Sequence, residues 1–194
     1  MSQQTAKDRL VDAAGRLFYR QGFHATGIDA VIREAGVARM SLYNHFKSKD
    51  ELILAVLQQR SDVFRSWLRD EIGARAAAPA GQLMALFDVL SDWIAGHLGG
   101  EAFAGCVFVK AVGEFPAAGG AIRDAVRVHK QSLRDDLEQL ARAAGAQEPS
   151  ELAADLALLF EGGMAVGQVS GDYRAAWRAR RMAQARLTAA GIQA

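Results

Sequence analysis

Arg39, Met40, Ser41, Tyr43, Asn44, His45 and Lys49 crowd into the stretch GVARMSLYNHFKSKDEL, from Gly36 to Leu52. These residue types do not assemble a nucleophile with its base; they are the types that grip nucleic acid. An asparagine can bond two edge atoms of an adenine and a serine can donate or accept. A methionine can pack on the methyl of a thymine, and an arginine can hold guanine or phosphate. Phosphate contacts set position and supply much of the affinity, whereas contacts in the groove choose the sequence.

A helix must present these side chains. At 100° per residue, Leu42 and Phe46 lie about 40° apart on one side of a helix over 39–46, where they anchor it to a core. Met40, Ser41 and Asn44 fall on the opposite side, with Arg39 and Tyr43 on one flank and Ser41 and His45 toward the other. Ser48, Lys49, Asp50 and Glu51 follow as S-x-x-E, a capping box that opens the next helix. Loss of the Ser48 side chain is expected to cost about 0.5–2 kcal/mol. The free amides at that helix start, with Lys49, form a phosphate clamp.

Upstream, Leu10, Ala13, Ala14, Leu17 and Phe18 recur at helical spacing, so a first helix runs from about Thr5 to Gln21 and ends at Gly22. Ile28, Val31, Ile32 and Ala35 mark a second, with Thr26 and Asp29 at its start and Gly36 at its end. Two short helices joined by a glycine-containing turn have the shape of a helix-turn-helix. The helix over 39–46 is then the one that enters a DNA groove.

Downstream, a long fourth helix continues to about Ile72, and GARAAAPAG, from Gly73 to Gly81, breaks the pattern. A fifth helix follows through Ile94, then a glycine-rich turn from His97 to Glu101. The β-branched segment GCVFVKAVGEF is read as helix, because no second strand is available to pair with it. A seventh helix spans about Ala121 to Ala144. The eighth, from Ser150, is apolar on nearly every side and must have partners on two faces, and the last runs from about Tyr173 to Ala189. The expected fold is all-α, about nine helices, with a head over 1–50 on a helical body over 51–194.

The composition agrees: alanine, leucine and arginine are abundant, and only three prolines interrupt 194 residues. The net charge is +1, but residues 1–50 hold eight Lys and Arg against five acids, and the remainder 15 against 17. A basic head on a mildly acidic body suits contact between the head and a polyanion. No uninterrupted apolar run reaches the roughly 18 residues that span a bilayer, and the start MSQQTAKDR lacks the apolar core of a secretory signal, so a soluble, cytoplasmic protein is expected. The lone Cys106 excludes an intrachain disulfide. His97, His129, Glu114 and Glu161 are scattered without metal-ligand spacing and read as packing and pairing residues, so no metal or cofactor is expected. Nothing resembles a nucleophile elbow, a phosphate loop, a zinc motif or a spaced carboxylate pair, which argues against an enzyme.

GFHATGIDAVIREAGV followed by RMSLYNHFKSKDEL, placed after an amphipathic helix, resembles the DNA-binding domain of the TetR family of bacterial transcriptional regulators. Its Y-x-H-F-x-S-K-x-E-L portion is far more specific than a bare helix-turn-helix. Beyond the first fifty or so residues the likeness rests on length and helix count, with GCVFVKAVGEFP similar to a segment in several branches. The resemblance implies that Thr26, Arg39, Tyr43, His45 and Lys49 touch phosphates and that Met40, Ser41 and Asn44 read bases. Ala38 stands where the family usually has a serine capping the recognition helix, and Met40 where a small residue is frequent.

The resemblance further implies a homodimer formed by the last two helices of each chain, and a pocket in each body for a small inducer. Leu152, Leu156, Leu159, Gly163, Val166 and Trp177 are the residues assigned to the dimer surface. The pocket set is Phe64, Trp67, Phe87, Trp93, Phe103, Cys106, Phe108, His129, Phe160 and Met164, and its aromatic density implies a largely apolar or aromatic ligand. The expected protein is a dimeric repressor that leaves its duplex operator when the inducer binds. The alternatives are an activator, a regulator without an inducer, or a redox or electrophile sensor through Cys106, one helical turn from Lys110. The arginines around Trp177 are read as a solvated outer face rather than a membrane-surface helix, so no membrane partner is expected.

Overall fold

The computed structural model describes residues 4–98, 103–116 and 120–192, and all the regular structure among them is α-helical. The helices are α1 (Ala6–Gln21), α2 (Ile28–Ala35), α3 (Arg39–His45), α4 (Lys49–Arg75), α5 (Pro79–Ile94), α6 (Val107–Glu114), α7 (Ala121–Ala143), α8 (Pro149–Ser170) and α9 (Arg174–Ala189). GCVFVKAVGEF is thus largely helical, while part of the glycine-rich turn expected after His97 lies outside the described residues. Two compact units emerge: Met1–Phe64 with Val107–His129, and Arg65–Cys106 with Lys130–Ala194.

In the first unit, α1 packs on α2 and α3. Leu10, Ala13, Ala14 and Phe18 of α1, Val31 and Ala35 of α2 and Leu42 of α3 are all buried as their spacing predicts, while Leu17, Ile28 and Ile32 of the same stripes are half-buried. Thr5 caps α1 through a hydroxyl that accepts the Asp8 N–H at 3.2 Å, and Asp8 in turn accepts the Thr5 N–H at 3.1 Å. The Thr5 hydroxyl also donates to Asp8, and these bonds hold the Asp8 carboxyl below its usual range. Their contribution is present at neutral pH and is lost as pH falls through that lowered value.

The start of α2 differs from the expectation. Gly27 is its cap, without a side-chain bond, and the Thr26 hydroxyl instead donates to the Gly22 carbonyl at 2.7 Å. At 1% exposure Thr26 braces the turn from inside, where an unpartnered hydroxyl would be costly. At the other end of α2, Gly36 takes φ 61°, the left-handed conformation that glycine adopts without strain. Ala38 caps α3 without any side-chain bond, as a residue lacking a side-chain oxygen must. The capping box of α4 is displaced by one residue: the Glu51 N–H donates to Ser48 Oγ at 3.1 Å, but the Glu51 carboxylate accepts the Lys47 N–H at 2.7 Å.

In the second unit, α5, α8 and α9 pack on one another. Close approach is possible because α9 buries alanines, Ala175, Ala176, Ala179 and Ala183, and α8 answers with Gly163. A Cβ on Gly163 would lie 3.2 Å from Leu90 Cδ2 and 3.4 Å from Ala179 Cβ. Arg180–Asp88 at 2.7 Å ties α9 to α5, and Arg186 Nε donates to Asp155 of α8 at 2.7 Å. Arg65 grips Asp136 through two bonds of 2.7 Å, joining α4 to α7. By length and mean hydropathy α8 alone among the described helices would suffice to cross a bilayer, although Glu151, Asp155 and Glu161 interrupt its apolar run. Its stripe of Leu152, Leu156, Phe160 and Met164 is buried in this unit, which gives the apolar composition a reason within the fold.

Candidate nucleic-acid interface

Leu42 and Phe46 are 2% and 4% exposed, so they fix which side of α3 faces outward. On that side Met40 is 69% and Tyr43 51% exposed, Asn44 and His45 are exposed as well, and Ser41 is half-buried. The N-terminal flank carries Arg39, whose guanidinium pairs with Asp29 of α2. Both partners are well exposed, so the pair adds little stability; it does hold the cation beside the start of α3. Across the surface, Lys49 opens α4 and its Nζ donates to the His24 carbonyl at 3.4 Å. Thr26 is not on this surface, since its side chain is buried in the turn.

The turn that sets α2 is itself held by α6, through Glu114, a residue that the sequence reading leaves among ordinary polar groups. Its carboxylate accepts the Phe23 N–H at 2.9 Å and the His24 N–H at 2.6 Å. His24 Nε2 lies 2.8 Å from the Glu114 carbonyl, which can only accept, so this nitrogen carries the proton. Phe115 packs beside both, with ring centroids 4.7 Å from His24 and 6.0 Å from Phe23. Lys110, one turn earlier, donates to the Tyr19 carbonyl at 3.0 Å and sits 4.7 Å from the centre of the Tyr19 ring. Gly22 has φ 90°, which favours glycine, and a Cβ there would lie 2.9 Å from Glu114 Oε1 and displace the carboxylate that holds the turn. Glu114→Ala leaves two amide donors without their acceptor and is expected to cost about 1–3 kcal/mol. Urea unfolding measures it, with Glu114→Gln falling between the two because its amide oxygen can still accept.

Matched sequence models agree with this geometry. "Bacterial regulatory proteins, tetR family" matches residues 10–56, and "Tetracyclin repressor-like, C-terminal domain" matches residues 79–183. The chain belongs to the TetR family. It is a DNA-binding transcriptional regulator and not an enzyme.

Among similar proteins, the transcriptional activator FasR of Mycolicibacterium smegmatis is 42% identical over 66 residues, 34% of this chain and 30% of its own length. The regulator LmrA of Bacillus subtilis is 32% identical over 92 residues, 47% of this chain and 48% of its own. The matches thus span less than half of either curated relative. A solved TetR-family regulator from Streptomyces coelicolor superposes with a TM-score of 0.83 at 31% identity, over 95% of each chain. Escherichia coli NemR in its reduced form superposes at 0.82 with 18% identity, over 93% of this chain and 95% of its own, and shares the fold.

In this TetR-family chain the residues assigned to a pocket fall into separate groups. Within the first unit, His129 is buried, stacks on Phe108 with centroids 3.5 Å apart, lies 5.9 Å from the Phe64 ring and meets Ser61 Oγ through Nδ1 at 2.8 Å. Within the second, Trp93 stands edge-on to Trp67 at 5.6 Å and to Phe103 at 5.0 Å, and all three rings are half-buried. Phe87, Phe160 and Met164 are fully packed there. Cys106 Sγ accepts from Lys130 Nζ at 3.4 Å, and that ammonium is also paired with Glu161. Among the described residues no group of three or more His, Cys, Asp or Glu is arranged to hold a metal ion.

The residues assigned to the dimer surface also separate. Leu152, Leu156 and Gly163 are buried within the chain and Leu159 is half-buried, whereas Val166 and Trp177 are 54% and 55% exposed. Leu158, Gly162, Ala165, Val166 and Val169 form an exposed stripe along α8, and Trp177 and Met182 of α9 are exposed too. Leu158, Val169 and Met182 are absent from the sequence-based set. The stripe follows helical spacing and was visible in principle, but a helix apolar all round does not show which side its own chain covers.

Proposed function

We propose that the protein is a homodimeric repressor whose two α3 helices read an inverted-repeat operator and whose body binds a small, largely apolar or aromatic inducer in the cytoplasm. The observation that carries the DNA-reading part is the outward face of α3, where Met40, Tyr43, Asn44 and His45 are exposed between two cations, Arg39 and Lys49. Residues 1–50 carry DNA recognition and residues 51–194 carry dimerisation and inducer binding. The dimer reading is supported by the exposed stripe of Leu158, Val166 and Val169 with Trp177 and Met182, apolar surface that a second copy would cover symmetrically.

In the dimer the recognition helices lie about one duplex turn apart, roughly 34–36 Å, and enter successive major grooves. Arg39, Tyr43, His45 and Lys49 contact phosphate, and Ser41 and Asn44 contact bases. The half-buried trio of Trp67, Trp93 and Phe103 supplies aromatic surface for the inducer. An inducer that binds the released form preferentially lowers operator affinity tenfold for about each 1.4 kcal/mol of coupling.

Selection of duplexes from a random library by the full-length protein tests this reading. Inverted repeats with half-site centres about 10 base pairs apart are the expected yield. Recovery of no sequence would overturn the reading, and recovery of isolated half-sites would overturn the dimer. Thermal-shift screening of small aromatic and lipophilic compounds then identifies inducers as those that both stabilise the protein and release the selected duplex.

A further inference from the structure

We infer that Met40 is a specificity-determining residue: its thioether side chain reads the 5-methyl group of one thymine in each half-site. The inference rests on the DNA-reading role proposed above and adds the base that α3 selects at that point. Met40 is 69% exposed, against 51% for Tyr43 on the same helix, where Leu42 and Phe46 at 2% and 4% fix the buried side. Around the helix it lies about 160° from Leu42 and about 120° from Phe46, on the side away from the core. The neighbouring Arg39 is held aside by Asp29, so the N-terminal part of the outward face is left to an apolar side chain. Methionine has no hydrogen-bond donor and only a weakly accepting sulfur. Of the four bases, only thymine offers the major groove an apolar group for such a side chain to cover.

Asn44 stands one turn further along the same face, about 6 Å by helix rise. Successive base pairs are about 3.4 Å apart, which places the thymine within about two base pairs of the position Asn44 meets.

Replacing thymine by deoxyuridine removes this methyl and leaves every hydrogen-bonding atom of the base in place. The full-length protein and its Met40→Ala and Met40→Leu variants are titrated with a selected duplex in which each thymine is replaced in turn. One thymine per half-site is expected to weaken the unaltered protein roughly fourfold on losing its methyl, the worth of one buried methyl group. The same replacement changes Met40→Ala binding less than about 1.5-fold and retains most of its effect with Met40→Leu. The inference is overturned if no thymine shows this loss, or if Met40→Ala shows it undiminished. Failure to select any sequence would instead count against the DNA-reading proposal itself. Met40 is exposed, so both variants keep the fold, which circular dichroism verifies.

Discussion

Val166→Glu is expected to convert the protein to monomers and to weaken operator binding by about 100-fold or more. Val166 is 54% exposed within the chain and lies between Leu158 and Val169, which are 72% and 90% exposed. In a twofold interface the same patch meets itself, so one substitution places two carboxylates in apolar surroundings. Such a charge must be left unpaired or neutralised, and association is lost. Each monomer then holds one half-site without the local concentration its partner supplies, a gain worth about 10²–10⁴ in linked binding. Analytical ultracentrifugation reads the mass and anisotropy the affinity. Because the site is exposed in the single chain, the helical content should not change. A dimer of unaltered mass with Val166→Glu would remove α8 from the interface.

Phe18→Ala has the opposite signature, a large loss of stability with no direct effect on the α8 and α9 surface. Phe18 is fully buried and stacks on Phe23 with ring centroids 5.0 Å apart, and Phe23 is also the residue whose N–H is held by Glu114. Truncation empties a ring-sized space beside Phe23 in the core of the head, and interiors close such spaces only in part. The expected cost is about 3–5 kcal/mol, read by urea unfolding, and DNA binding falls with it. Phe18→Leu keeps most of the volume and is expected to lose roughly a third as much. A loss under about 1 kcal/mol for Phe18→Ala would contradict the packing described for the head.

The head was the most legible part of the chain because its elements are short, capped and strongly periodic. The apolar stripe of α1 and the burial of Leu42 and Phe46 follow from spacing, and the left-handed Gly36 from its residue type at a helix end. Thr26 was placed at the start of α2 because its residue type suits a cap, and its phosphate contact came from the family resemblance, but its partner, the Gly22 carbonyl, is set by the shape of the turn. The displaced partner of Glu51 has the same origin. Glu114 was illegible as a clamp because the amides it accepts are about ninety residues away, and backbone donors leave no trace in residue type. On α8 the periodicity was hidden by apolar residues on every side, so Leu158 and Val169 could not be separated from Leu152 and Leu156 until α5 and α9 were seen to cover one side.

In the proposed function, α3 and the start of α4 bind duplex DNA through cations at phosphates. Fluorescence anisotropy of a selected duplex, titrated with the full-length protein from 50 to 200 mM salt, tests it most directly. Arg39 and Lys49 of two protomers neutralise four phosphates, which gives a logarithmic slope of about −3.6 and a loss of roughly 100-fold across that range. Arg39→Ala and Lys49→Ala should each make the slope shallower by about two, one phosphate per protomer. Binding that does not change with salt, or that keeps its slope in both variants, would contradict the claim.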